Sequence, residues 1–278
     1  MVLKRKDGYR IKVDAFSRFI PLIMKERNDA LVYLTQEISL TSLDEYVKRI
    51  YEETGIRVSY MHIIYSAIVR TYKDMPHINR FIMSGKHYMR NNIEISMAVK
   101  KSLSVDAEET TLKFKFEGNE SPLEIKKMLD DQINLEKNQE SNKNNLTDLF
   151  VKTLENIPTF LLKFIVGVLK TMDKINLMPK SVIDASPFHA SAFITNLGSI
   201  GLDAALHHIY NFGTVGAFLS IGKKGKKLVM KDGEVVEEKI MNIGFVIDER
   251  ICDGYYYAKA MRQFYKYLQK PDSLDKED

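Results

Sequence analysis

The sequence predicts a single α/β (α+β) domain, a mixed β-sheet flanked by helices. Three observations carry that expectation. Runs with helical period and runs with strand period are interleaved along the 278 residues. Two β-rich runs late in the chain are joined at Asp232-Gly233, a pair suited to a tight hairpin turn. The chain then closes on a helix stopped by Pro271.

In chain order, "ALVYLTQEISL" alternates as a strand. "TSLDEYVKRIYEETG" follows as a helix, with Thr41 or Ser42 as N-cap, Leu43, Tyr46, Val47 and Ile50 on one face, and a stop at Gly55. "SYMHIIYSAIVRTYKDMP" is apolar on more than one side, so it predicts a buried helix ending before Pro76. "IEISMAVKKSLSV" and "LKFKFEG" alternate as strands, and "SPLEIKKMLDDQINLEK" reads as a helix opened by a capping box between Ser121 and Glu124. A polar loop, "NQESNKNN", leads into an apolar helical stretch, and together they form an insertion over residues 136–183 of the single domain 1–278. "HASAFITNLGSIG", "TVGAFLSIGK" and the hairpin complete the sheet.

Composition bounds the function. An apolar fraction of 45% suffices for a core, and a formal charge of +4 without a basic block gives no footprint for nucleic acid. One cysteine forms no internal disulfide, and no apolar stretch follows the basic N-terminus, so the expected setting is the cytoplasm. The chain carries no glycine-rich phosphate loop, no His-Glu-x-x-His, no CxxC and no G-x-S-x-G. The six histidines give only the adjacent pair His207-His208, and neighbours in a strand face opposite ways, so no metal site is expected.

Two stretches can carry chemistry. In "FITNLGSIG", Thr195 ends an apolar strand before glycines, either as a β-residue before a turn or as a donor aimed at a developing oxyanion. In "FVIDERICDGYYYAKAM", acidic and basic groups crowd between a strand and a helix.

Taken together, "AFITNLGSIGLDAALHHIYNFGTVGAFLSIGKKG", the hairpin and "IDERICDGYYYAKAMRQFYKYLQKP" resemble, in order and spacing, the catalytic domain of the dihydrolipoamide acyltransferases of 2-oxoacid dehydrogenase complexes. Chloramphenicol acetyltransferase shares that fold. The resemblance spans roughly residues 30–135 and 185–272 and implies a chloramphenicol acetyltransferase-like fold, a homotrimer with sites between subunits, and coenzyme A or acyl-coenzyme A as co-substrate. The acceptor would be a small molecule or carrier-bound group. The family motif D-H-R-x-x-D-G reads D-E-R-I-C-D-G here, so Glu249 occupies the position of the histidine that deprotonates the coenzyme A thiol. Thr195 falls on the hydroxyl that steadies the oxyanion; Asp253 shapes the site; Arg250, Gly254 and Asn196 shape the loops.

A glutamate near pKa 4.3 is mismatched to a thiol near 8.5 by roughly four units, about 5 to 6 kcal/mol of proton transfer, unless burial raises it. Three outcomes stay open: Glu249 is a desolvated base, another group such as His189 replaces it, or the domain is a non-catalytic binding or scaffolding trimer. The resemblance implies lipoyl and subunit-binding domains ahead of a core, and this chain begins almost at the core, so no covalent lipoyl group is expected in it. Residues 149–183 have no clear counterpart. Lys163, Lys170 and Lys174 share a narrow stripe there, and the broad apolar remainder suits packing in the core or a subunit contact, a lid, or a membrane surface along 158–178.

Overall fold

The computed structural model describes residues 4–100, 109–140 and 157–275. Its main sheet has six strands in the order β2 (Leu31–Ser39), β9 (Glu234–Asp248), β8 (Ala217–Lys231), β7 (Ala192–Asn196), β5 (Ile93–Lys100) and β6 (Glu109–Phe116). β7 runs parallel to both β5 and β8, and the other pairs are antiparallel, so the sheet is mixed as expected. A second, antiparallel sheet of three short strands is ordered β1 (Gly8–Arg10), β4 (Lys86–Arg90), β3 (Arg80–Met83). The β8–β9 hairpin turns at Asp232 and Gly233 with φ of 51° and 86°, the left-handed pair that a two-residue turn needs.

Strand alternation divides the core in two. Ala192 and Ile194 face the larger cluster, which α2 (Thr41–Thr54), α3 (Tyr60–Asp74), α4 (Pro122–Glu140) and α7 (Gly254–Gln269) cover. Phe193, Phe218 and Val246 face the smaller cluster, closed by Ile209 and Val215. α3 is buried on almost every side, as its sequence predicts. α4 opens on the expected box: Ser121 N–H donates to Glu124 Oε2 at 2.8 Å and Glu124 N–H to Ser121 Oγ at 3.4 Å. At α2 the expectation is corrected. Leu40 holds the cap position, and Ser39 Oγ accepts from Thr41 N–H at 3.4 Å, so the chain's polar cap sits two residues earlier than Thr41.

α3 starts on a box in which a histidine takes the place of the usual acid: Ser59 N–H donates to His62 Nδ1 at 3.0 Å. Burial, helped by nearby Lys126, pushes His62 down to about 4. The unfolded imidazole titrates near 6.5, so the folded state refuses the proton that the unfolded chain accepts. The stability gained from neutral His62 is therefore complete above about pH 6.5 and lost as pH falls toward 4, reaching roughly 3 kcal/mol. Urea midpoints should drop across that window in the wild type and much less in His62→Gln, which keeps an acceptor but no titration.

Three helices were not given their observed setting by sequence alone. α1 (Ala15–Ile23) is capped by Asp14, which accepts from Ser17 N–H at 3.0 Å, and it carries Pro21. The insertion forms α5 (Thr159–Lys174) and α6 (Lys180–Ala185), while 141–156 lie outside the described residues. Among the described residues, α5 leaves Phe160 75% exposed and Phe164 67% exposed, with Leu162, Ile165, Leu169 and Met172 half-buried along one seam. Among the described residues, no helix is long and apolar enough to cross a membrane.

Candidate active site

β9 ends at Asp248, and the chain turns through Glu249–Cys252 into α7. What holds this turn is a buried ion cluster. Asp248, 0% exposed, takes Arg250 Nε on Oδ1 and Arg250 Nη2 on Oδ2, both at 2.8 Å, and accepts Arg250 N–H at 3.1 Å. Arg27 Nε lies 3.5 Å from Asp248 Oδ2, and its other nitrogens donate to the carbonyls of Tyr210 and Gly213. Burial pushes Arg27 down to about 10, with Asp248 opposing the shift. Arg250 also donates to the carbonyls of Met24 and Lys25, which ties the turn to the end of α1.

The loop-shaping assignments change accordingly. Arg250 pairs with Asp248, not with Asp253. Asp253 is exposed and caps α7, accepting from Tyr256 N–H at 3.0 Å. Gly254 is the first residue of that helix, lacks a positive φ and has open space where a Cβ would stand, so no geometric demand calls for glycine. Asn196 accepts from Ser199 N–H at 3.2 Å and donates to Met61 Sδ at 3.8 Å. Burial pushes the Cys252 thiol up to about 12, which keeps it protonated and unreactive.

With Arg250 committed, Glu249 is left alone. Its backbone N–H donates to Ala30 C=O at 3.0 Å, but its side chain is exposed and, among the described residues, makes neither ion pair nor hydrogen bond. It stands at a cavity of about 480 Å³ whose walls include Phe16, Ile20, Met24, Val32 and Leu34. No histidine lines that cavity.

Thr195 is half-buried at the far end of β7, and its hydroxyl too has no hydrogen-bond partner among the described residues. Strand register measures the gap. Thr195 pairs with Ser220, and Ser220 with Gly244, whereas Glu249 lies five residues beyond Gly244. At strand spacing that separates the two by about 16 Å along the sheet and about 10 Å across it. One chain does not bring them together.

His189 follows a different course. It is 0% exposed, with Nδ1 2.8 Å from Ser186 Oγ and Nε2 3.2 Å from Asp173 Oδ2. Asp173 in turn receives Arg5 Nη2 at 2.7 Å, and Arg5 Nε lies 2.6 Å from Asp7. Burial works against the Asp173 charge, yet His189 and Arg5 hold its carboxyl below the usual range. Both His189 nitrogens are thus occupied inside the fold, away from Thr195. His207 and His208 lie outside any strand, contrary to the expectation, and stack with centroids 4.5 Å apart. Among the described residues no cluster of metal-ligating side chains occurs.

The residues that position this site match a known family model: 7–107 and 184–275 fit the 2-oxoacid dehydrogenases acyltransferase (catalytic domain). The chain belongs to that family. Both the β7 strand and the Asp248–Gly254 turn lie inside the match, whereas α4 and the insertion, within 108–183, lie outside it. The fold of this acyltransferase-family chain is shared by solved structures. A probable dihydrolipoamide acetyltransferase from Listeria monocytogenes 4b F2365 aligns at TM-score 0.58 and 16% identity, covering 94% of each chain. The Azotobacter vinelandii dihydrolipoamide acetyltransferase aligns at 0.54 and 15%, covering 96% of this chain and 94% of that one. A truncated catalytic core of the 2-oxoacid dehydrogenase multienzyme complex from Thermoplasma acidophilum aligns at 0.54 and 15%, covering 94% and 98%.

Asp248 and Arg27, which build the turn of this acyltransferase-family member, went unassigned in the sequence. Asp248 had a local signal, since an acid ending an apolar strand two residues before an arginine can form such a pair. Arg27 had none, because its contact spans most of the chain.

Proposed function

We propose that the chain is a coenzyme A-dependent acyltransferase whose site is completed between subunits of a homotrimer. The observation that carries the proposal is that Glu249 and Thr195, the two motif positions, both keep unpaired polar groups but lie at opposite ends of one sheet. A site using both needs Glu249 from one copy and Thr195 from another. The second copy would also supply the cover that raises a carboxyl toward the range of a working base.

The Glu249 cavity fits the reacting end of the co-substrate. Its volume lies in the range of small-molecule sites. Apolar walls suit an uncharged acyl chain, and its one arginine is already spent on Asp248 and backbone carbonyls. Among the described residues, a carboxylate-bearing acyl group would find no free cation there. Glu249 would take the proton of the attacking thiol, amine or hydroxyl, and Thr195 would donate to the tetrahedral oxyanion. In the Azotobacter vinelandii relative, a serine, a histidine and an asparagine were examined for their roles in the catalytic mechanism, so Glu249 would have to do the work of an imidazole.

The absence of an imidazole around this cavity favours a second reading, a non-catalytic binding or scaffolding trimer of the same fold. Calorimetry with coenzyme A and a series of acyl-coenzyme A esters, followed by turnover with thiol, amine and alcohol acceptors, separates the two. Saturable binding that tightens with aliphatic acyl length, together with transfer to one acceptor class, is expected. Binding without transfer to any acceptor would favour the scaffold, and no binding of either ligand would remove coenzyme A from the account.

A further inference from the structure

On the side of α1 away from Glu249 lies a second cavity, of about 740 Å³, walled by β1, α1 and the β3–β4 turn. Four cationic side chains line it: Arg10 and Lys12 from the first strand and its extension, Arg18 from α1, and Lys86 from β4. Among the described residues, no acidic side chain lines it. Among the described residues, none of these four makes an ion pair or a side-chain hydrogen bond, unlike Arg49, which pairs with Glu53 and Asp272. The neighbouring acid, Asp14, is occupied in capping α1, bound to both Ser17 N–H and Ser17 Oγ.

We propose that this cavity is a binding site for a phosphate-bearing ligand. Like charges gathered around one concavity repel each other and raise its potential, and a multiply charged anion removes that cost while accepting several hydrogen bonds at once. Two guanidinium forks and two ammonium groups arriving from three elements suit the oxygens of a phosphate or diphosphate better than a single planar carboxylate. Ile11, Val13 and Leu22 add apolar wall for the organic part of the ligand. The volume suits a molecule of nucleotide size.

The site also touches the catalytic loop. His87 lines the cavity, and its Nε2 is 3.0 Å from the carbonyl oxygen of Arg250, next to Glu249. α1 separates the two chambers, sending Ile20 and Met24 toward Glu249 and Arg18 and Leu22 toward the basic cavity. An anion held here would therefore sit one side chain away from the turn that carries Glu249. The inference does not depend on acyl transfer.

The same chemistry could be a soluble phosphorylated metabolite or a lipid headgroup, and the experiment distinguishes them. Pyrophosphate and adenosine diphosphate are titrated into the full chain by calorimetry, and the protein is co-sedimented with phosphatidylglycerol vesicles against phosphatidylcholine ones. Saturable binding, weakened about tenfold or more by Arg18→Gln and by Lys86→Gln but unchanged by Lys226→Gln on the distant hairpin, is expected. If the variant-sensitive binding is to the soluble probes, the ligand is a metabolite; if only to phosphatidylglycerol vesicles, a headgroup. Thermal midpoints confirm that the exposed substitutions leave the fold intact. No saturable binding of any probe, or equal weakening by Lys226→Gln, would overturn the site.

Discussion

Replacing Asp248 by alanine is expected to cost about 3 to 5 kcal/mol of folding stability, the penalty for breaking a buried ion pair from one side. The magnitude follows from what stays behind. Arg250, 5% exposed, would lose both arms of its carboxylate contact, and Arg27, 4% exposed, would lose the one negative charge that opposes its desolvation. Neither arginine can swing into water without abandoning carbonyls it also holds, those of Met24 and Lys25 for Arg250 and of Tyr210 and Gly213 for Arg27. Asp253→Ala removes only a solvent-exposed helix cap, about 0.5 to 2 kcal/mol. Urea unfolding of the two variants side by side tests the assignment of the loop-shaping acid. Equal losses, or a larger loss at Asp253, would return that role to the residue the motif alone suggests.

How much of this was legible in the sequence depended on range. Several local signals held: the Ser121–Glu124 box, the Asp232-Gly233 turn and the two-sided burial of α3 are each found, although the N-cap expected at Thr41 or Ser42 falls at Leu40. A strand of three residues such as β1 is too short to show a period, and α1 carries a proline that disguises it. Site residues divide the same way. The motif "IDERICDG" located the turn, but the partner of Arg250 could not be chosen between two nearby aspartates without knowing which one the strand buries. His189 shows the limit most plainly. It lies six residues before Thr195 in sequence, yet the partner that fixes its ring is Asp173, itself paired with Arg5 at the other end of the chain. Proximity along the chain said nothing about where that side chain would be spent.

Glu249→Gln is expected to lower turnover by about 10²- to 10⁴-fold while leaving acyl-coenzyme A binding unchanged, the signature of a lost proton acceptor rather than a lost contact. Thr195→Ala should cost about 10² to 10³, the usual effect of removing one oxyanion donor. Either loss alone would fit a site inside one chain or between two. Geometry separates those cases, because Glu249 and Thr195 stand about 16 Å apart along the sheet and two strands across it. Mixing the two inactive variants therefore makes a sharper test. In a mixed trimer, an interface that takes Glu249 from a Thr195→Ala chain and Thr195 from a Glu249→Gln chain is intact, and random assembly of equal amounts makes about a quarter of the interfaces so. Co-refolded variants should then recover roughly that share of wild-type turnover. A mixture as inactive as its parents would mean that the two positions do not meet across a subunit boundary, and that the exposed carboxylate of Glu249 has no oxyanion donor to work with.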